Sequence, residues 1–368
     1  MSKLHLFNPE NDLALATDMP HFTPPRAAIQ LADSLACLPA WWADPGDLIV
    51  CDNEDAEWLT SVNPEIKQFD GSFQPDSLAP WGWSRYTRQL FSLKGVDTTL
   101  LPSDAKLNEI RALSHRRLTA EIYATLKNEK LPYPLPPAPR EVSDIDVIVR
   151  SLERGDTLYI KSPWSGSGRG IINTSTTTAA QAVRLAQGII RRQGSVMVEY
   201  ALDKVADFAM LFDITSHKAV FKGLSLFYNE SYSTYSGNIL GSPEYLKAKL
   251  CKYITSKYLN ATLDAVSEAL GRTLPGRYEG PVGVDMMIYR LPDGSFSIAP
   301  CVEVNLRMTM GRVAHELYSR HLPEGFTGLM QLQHGDIHTD TEVFLRLTPS
   351  GKPFGMIIKA LSDADIVY

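Results

Sequence analysis

GPVGVDMMIYRLPDGSFSIAPCVEVNLR, residues 280–307, reads as two β-strands folded around Pro292, Asp293 and Gly294. Asp285 interrupts an apolar run in the first strand, GPVGVDMMIYR (280–290). In the second, SFSIAPCVEVNLR (295–307), Glu303 and Asn305 alternate with Val302, Val304 and Leu306. Side chains two residues apart on a strand face the same side, so Glu303 and Asn305 project together. The hairpin can bring Asp285 beside them. Carboxylates that face a core are costly unless paired or metal-bound. Two carboxylates and an amide oxygen suit Mg²⁺, which takes one or two carboxylates together with phosphate oxygens. By itself the pattern also fits a half-exposed hairpin with a polar wet face.

About 120 residues upstream, YIKSPWSGSGRGI (159–171) gives this reading a counterpart. The strand TLYIK (157–161) ends in Lys161 and runs into Ser165, Gly166, Ser167, Gly168, Arg169 and Gly170. The lysine precedes the glycines, so this is not the P-loop of phosphate-binding NTPases. Its Gly-x-Gly-x-Gly spacing, with no acidic residue about 20 positions on, does not match a dinucleotide fingerprint. A flexible lid remains. Glycines let backbone N–H groups turn toward an anion. Ser165 and Ser167 add hydroxyl donors, and Lys161 adds a point charge suited to phosphate. Taken alone, the stretch fits a glycine-rich surface turn as well.

The rest of the chain places these stretches in an α/β and α+β context. Strand patterns at LHLF (4–7) and DLIVC (47–51) alternate with helical patterns at 26–38, 55–62, 83–93 and 103–129. Such alternation predicts an α/β unit with a parallel sheet. LPYPLPPAPR (131–140) holds five prolines in ten residues. It is expected to be an extended connection at a domain boundary. SDIDVIVRSLERG (143–155) opens with a Ser-x-x-Asp cap signal and ends at Gly155, so it reads as a helix. Further helices are expected at 177–194, over roughly 243–272, and at 310–322. Strands are expected at 195–202, 206–214, 218–228, 343–347 and 355–361.

Lysine strand, glycine loop, MVEYAL (197–202) and the Asp…Glu-x-Asn hairpin follow one another in an order that resembles the ATP-grasp superfamily, of the carboxylate–amine ligase type. The resemblance covers roughly residues 114–312. It implies a Rossmann-like N-terminal domain (1–113), a small lid subdomain (114–202) and a C-terminal subdomain with the metal site (203–368). It implies ATP contacts from Lys161, Ser165, Gly166, Ser167, Gly168 and Arg169. Glu199, Tyr200 and Leu202 would form the adenine hinge, and Asp207 would take the ribose position, where the family more often has Glu. Asp285, Glu303 and Asn305 would hold one or two Mg²⁺ ions, with Mn²⁺ as a substitute. A basic residue before the first helix is usual in the family, and HRRLTAEIY offers both Arg116 and Arg117. Gly283 stands where some members carry an arginine. Arg307, and secondarily Lys222, are the candidates for that charge and for a catalytic role. The implied reaction joins a small-molecule carboxylate, an amino acid or peptide-like acid, to an amine through an acyl phosphate. A phosphotransferase and a non-catalytic nucleotide-binding regulator are the alternatives, and a homodimer is compatible with all three.

Composition narrows the partners. The 368 residues are 44% hydrophobic and 21% charged, with a formal net charge of −6 and no block of five like charges. Nucleic-acid binding, which needs clustered Lys and Arg, is not expected. Cys37, Cys51, Cys251 and Cys301 are scattered, without a zinc or disulfide pattern, as expected of reduced thiols in the cytoplasm. MSKLHLFNPENDLA has no apolar core of a signal peptide, and no membrane span is expected. For the substrate, the loops FNPENDLAL (7–15), HFTPPRAA (21–28) and YNESYSTYSGN (228–238) supply polar groups, among them Asn8, Glu10, Asn11, Asp12 and Arg26.

Overall fold

A computed structural model describes residues 1–166, 168, 170–228, 236–335 and 343–361. The chain forms two compact units. One comprises Met1–Arg111, Gly223–Leu246 and Arg307–Tyr368; the other comprises Ala112–Lys222 and Lys247–Leu306. The strand Ala219–Tyr228 runs from the second unit into the first.

In the first unit, four strands form a sheet in the order Lys67–Gln68, Leu48–Ile49, Lys3–Leu6, Ser77–Pro80. Every neighbouring pair is parallel, as the alternating sequence pattern predicts. Leu4, Leu48, Val50, Phe69, Phe91 and Val96 pack into one core on this sheet. The helix Arg85–Leu93 starts at Ser84, whose hydroxyl accepts the Thr87 N–H.

Two local expectations need correction here. The helix expected over 26–38 stops at Ser34. There the Ser34 hydroxyl donates back to the Gln30 carbonyl at 2.6 Å, and Leu38–Trp41 is a separate 3₁₀ turn containing Pro39. Conversely, FNPENDLAL is not only loop, since Asn11–Thr17 is helical. The same unit holds an antiparallel set of strands, Gly237–Leu240, Gly328–His334, Phe354–Ala360 and Val343–Arg346. The helix Met310–His321 buries Val313, Ala314 and Leu317 in one core with Leu240, Met330, Met356 and Ile358 from those strands.

In the second unit, a four-stranded antiparallel sheet runs in the order Arg140–Val142, Val196–Tyr200, Leu158–Lys161, Ile171–Asn173. The helices Ile145–Glu153 and Ala179–Gln193 cover it, closing a core of Val142, Ile148, Leu158, Ile160, Ala186 and Val198. The first helix is capped by Asp144, which accepts the Asp146 N–H, rather than by Ser143. The second ends at Gly194, whose φ of 85° is a left-handed stop.

The hairpin Gly280–Arg290/Phe296–Asn305 forms as expected and pairs with the strand Asp203–Ile214. The helices Arg117–Leu126 and Ser256–Thr273 pack on the strand Phe296–Asn305. The single helix expected over 243–272 is two, Pro243–Leu250 and Ser256–Thr273. Thr255 makes the break: its backbone is extended and its hydroxyl accepts the Tyr258 N–H. The proline-rich stretch has no regular structure before Arg140, where the strand Arg140–Val142 begins, and it is not a boundary between the units. Both its flanks lie in the second unit, where the Pro134 carbonyl accepts hydrogen bonds from Tyr289 and Ser297.

Candidate active site in the second unit

The hairpin register sets the first group. Asp285 lies opposite Glu303, and Gly283 opposite Asn305. The register shifts just beyond Asp285, between Asp285 and Met287. Asn305 is buried and donates from Nδ2 to Asp285 Oδ2 at 3.1 Å. Asp285, Glu303 and Asn305 are therefore brought together at one end of the hairpin. Among the described residues no three His, Cys, Asp or Glu side chains gather as a metal cluster. The donor set is two carboxylates and one carboxamide, all oxygen ligands. Such a donor set fits Mg²⁺, which is usually bound by one or two carboxylates together with water and phosphate oxygens.

Arg116 joins this group to the glycine loop. Its side chain is buried, and Nη2 donates to Glu303 Oε1 at 2.7 Å. The same Nη2 reaches the Ser165 carbonyl at 3.0 Å, while Nη1 donates to the Ser162 carbonyl at 2.6 Å and to the Ser165 hydroxyl. Arg116 Nε is buried and has no hydrogen-bond partner among the described residues. A buried guanidinium N–H left unpaired is a donor that an anionic group would satisfy. Of the two arginines, Arg116 is the one that points inward. Arg117 is exposed, with Glu141 at 3.9 Å.

Lys161 is the third part. It ends the strand Leu158–Lys161 and is 94% buried, with Nζ 2.6 Å from Glu199 Oε2. The register makes this pairing natural, because Lys161 lies opposite Met197 and Glu199 is two residues further along that strand. The Cys301 thiol registers how close these charges lie. Burial pushes it up first, Glu199 and Asp285 push it further, and Lys161 opposes them. Cys301 is fully buried, the small core residue its position suggests.

Past Glu199, Ala201 and Leu202 link the strand Val196–Tyr200 to the strand Asp203–Ile214 without regular structure. Tyr200 is exposed, the Lys204 N–H donates to the Leu202 carbonyl, and Lys204 Nζ holds Asp207 at 2.7 Å. The two charges named for catalysis have carboxylate partners. Arg307 Nε and Nη2 fork onto Asp12, at 2.8 Å for the shortest bond, within the first unit. Lys222 is 3.5 Å from Asp213 in the second. Ser167, Arg169 and residues 229–235 of the Tyr/Ser/Asn-rich stretch lie outside the described residues.

The base of the loop depends on one glycine. Gly170 has φ +68°, and a Cβ there would lie 2.6 Å from Ser162 Oγ. Its carbonyl accepts the Ser162 N–H at 2.8 Å, next to the Ser162 carbonyl held by Arg116. Gly170→Ala is expected to cost about 1–2 kcal/mol for the left-handed backbone alone, more with the Ser162 contact. Urea denaturation checks this, and a variant as stable as the parent would contradict it.

Sequence reading missed a set of groups behind the loop: His115, Glu141, Gln193 and Ser195. No motif marks them, because they belong to three separate segments, at 115, 141 and 193–195, and meet only in the fold.

No family model and no curated protein sequence matches the chain. Solved structures do match it. Biotin carboxylase from Campylobacter jejuni, in its β,γ-ATP complex, superposes with a TM-score of 0.50 at 11% identity, over 98% of this chain and 88% of that one. Carboxyaminoimidazole ribonucleotide synthase from Aspergillus clavatus, complexed with ATP, gives 0.50 at 11% identity, over 98% and 94%. Among the described residues no helix is long and apolar enough to cross a membrane. With a parallel first sheet, a four-stranded antiparallel sheet and the Asp…Glu-x-Asn hairpin in this order, the chain has the ATP-grasp fold.

Proposed function

We propose that the protein is an ATP-dependent ligase that joins a carboxylate to an amine and releases ADP and phosphate. One observation carries this reading: buried Arg116 ties the serines of the loop base to Glu303, beside Asp285 and Asn305. Phosphate-seeking donors and oxygen ligands for a divalent ion thus occur in one assembly.

In this reading residues 114–202 act as the lid and 203–368 carry the metal site, while 1–113 shape the substrate site. Asp285, Glu303 and Asn305 hold Mg²⁺, which supplies charge neutralisation for phosphoryl transfer. Arg116, Lys161 and the N–H groups of residues 165–170 bind phosphate oxygens. Lys161 is oriented for this by Glu199. Tyr200 and Leu202 present backbone to the adenine, and Asp207 receives the ribose. Closing the loop excludes water that would hydrolyse an acyl phosphate. The substrate carboxylate oxygen attacks the γ-phosphorus and ADP leaves. The amine then attacks the carbonyl carbon, and the C–O bond breaks to release phosphate. Arg307, and secondarily Lys222, are assigned to the negative charge that develops on the substrate side.

The test is product analysis with ¹⁸O-labelled carboxylate pools, amines, ATP and Mg²⁺. ADP and phosphate should form only when both acid and amine are present, with label carried into phosphate. ADP without free phosphate would instead mark a phosphotransferase. For the lysine, Lys161→Met keeps the apolar stem and removes the charge. Loss of one charge-assisted bond is worth roughly 1.5–3 kcal/mol, so MgADP affinity should fall about 10–100-fold. Unchanged affinity by calorimetry would remove Lys161 from the site.

A further inference from the structure

The glycine loop is held from behind as well as from the site. At Trp164, one residue before Ser165, the backbone N–H donates to Gln193 Oε1 at 3.1 Å. The Trp164 carbonyl accepts from Gln193 Nε2 at 3.4 Å. One carboxamide therefore grips both polar backbone atoms of a single loop residue. Gln193 itself is fixed as the last residue of the helix Ala179–Gln193, ended by left-handed Gly194.

The Trp164 ring is set as well. It meets the His115 ring edge to face, with centroids 4.6 Å apart. His115 is buried, and its Nδ1 accepts the Arg117 N–H at 2.9 Å. That bond leaves the ring proton on Nε2, which faces Glu141 Oε1 at 3.4 Å. The Ser195 hydroxyl donates to the same oxygen at 2.6 Å. These groups line an open cleft of about 440 Å³ in the second unit. On the site side, the Arg116 N–H donates to the Pro163 carbonyl at 3.0 Å, and its guanidinium holds Ser162 and Ser165. Residues 162–165 are thus bracketed by His115 and Arg116, which are consecutive in sequence, and by Gln193.

We propose that Gln193 and His115 are positioning residues for the phosphate loop: the Gln193 carboxamide clamp on Trp164, seated against His115, sets the direction in which the loop leaves its base. The inference rests on the nucleotide reading above. Gln193 does not touch the phosphate-binding side chains; it acts through the Trp164 backbone. Whatever disturbs the cleft shifts the loop base, and with it the geometry of Ser165 and Arg116.

The experiment pairs two variants in the full-length protein. Gln193→Met removes both bonds at similar volume. Gln193→Glu keeps an acceptor for the Trp164 N–H but turns a carboxylate oxygen toward the Trp164 carbonyl. Two net hydrogen bonds lost should weaken MgADP binding on the order of tenfold in Gln193→Met, with Gln193→Glu weakened as well. Hydrogen exchange over the peptide 162–171 should be faster in Gln193→Met without nucleotide, while the melting temperature stays near that of the parent. Unchanged MgADP affinity in a protein that binds it, or unchanged exchange over 162–171, overturns the proposal. If the parent itself does not bind MgADP, the nucleotide reading fails, and the exchange comparison alone decides whether the clamp orders the loop base.

Discussion

Glu303→Gln abolishes magnesium-dependent turnover in this account, with the fold intact. The amide keeps the size of the carboxylate and one oxygen that can accept from Arg116 Nη2, now at 2.7 Å. It removes the negative charge that faces Asp285 across the hairpin, and with it one of the two carboxylates proposed to hold Mg²⁺. A carboxylate ligand matters more to a divalent ion than outer-shell partners, whose loss costs about 10–100-fold. The rate of ADP formation should therefore fall at least about 100-fold. Glu303 is the partly exposed member of the pair, the amide can still accept from buried Arg116, and Arg116 keeps its bonds to Ser162 and Ser165. Denaturation should shift by no more than about 1 kcal/mol. A variant that turns over ATP at the parental rate would remove Glu303 from the metal site.

Glu10→Gln should stabilise the protein, and by an amount that depends on pH. Glu10 follows the first parallel strand, is 94% buried, and its Oε2 has no hydrogen-bond partner among the described residues. The neighbouring Asn11 Oδ1 is buried and, among the described residues, unpartnered too. Burial pushes the Glu10 carboxyl from 4.5 to about 7; its own backbone N–H lowers it, and Asp33 raises it further. The folded state therefore holds its proton more tightly than the unfolded chain does. Stability from this group is complete below about 4.5 and is lost as pH rises toward about 7. At 1.36 kcal/mol per pH unit, that interval is worth about 3 kcal/mol. Gln carries no proton to lose. The variant should thus exceed the parent by up to about 3 kcal/mol at pH 8 and by far less near pH 4.5. Urea unfolding at the two pH values measures this. A difference that does not change with pH would contradict the buried, proton-holding carboxyl.

How much of this was legible differs from residue to residue. Asp285 in an apolar strand, and Glu303 and Asn305 two apart, announce a polar face, because strand geometry fixes which side chains share a side. The parallel first sheet follows from the alternation of strand and helix patterns. The choice between Arg116 and Arg117 does not follow from sequence. They are adjacent at the start of a helix, where a single step turns a side chain from core to solvent, and only packing decides which points inward. The break in the helix expected over 243–272 turned on Thr255, which caps as readily as it continues a helix. The Gln193 clamp joins positions 29 residues apart through backbone atoms of Trp164, so nothing in the side-chain pattern foretells it. The same holds for Glu10. It looks like an ordinary polar loop residue until the fold buries it.

The central claim is that the second unit is a magnesium–nucleotide site. Thermal unfolding of the full-length protein with and without MgADP tests it most directly. Nucleotide at about 100 times its dissociation constant should add about 2.7 kcal/mol, a shift of several degrees that vanishes when magnesium is chelated. No shift at millimolar nucleotide and magnesium would contradict the account.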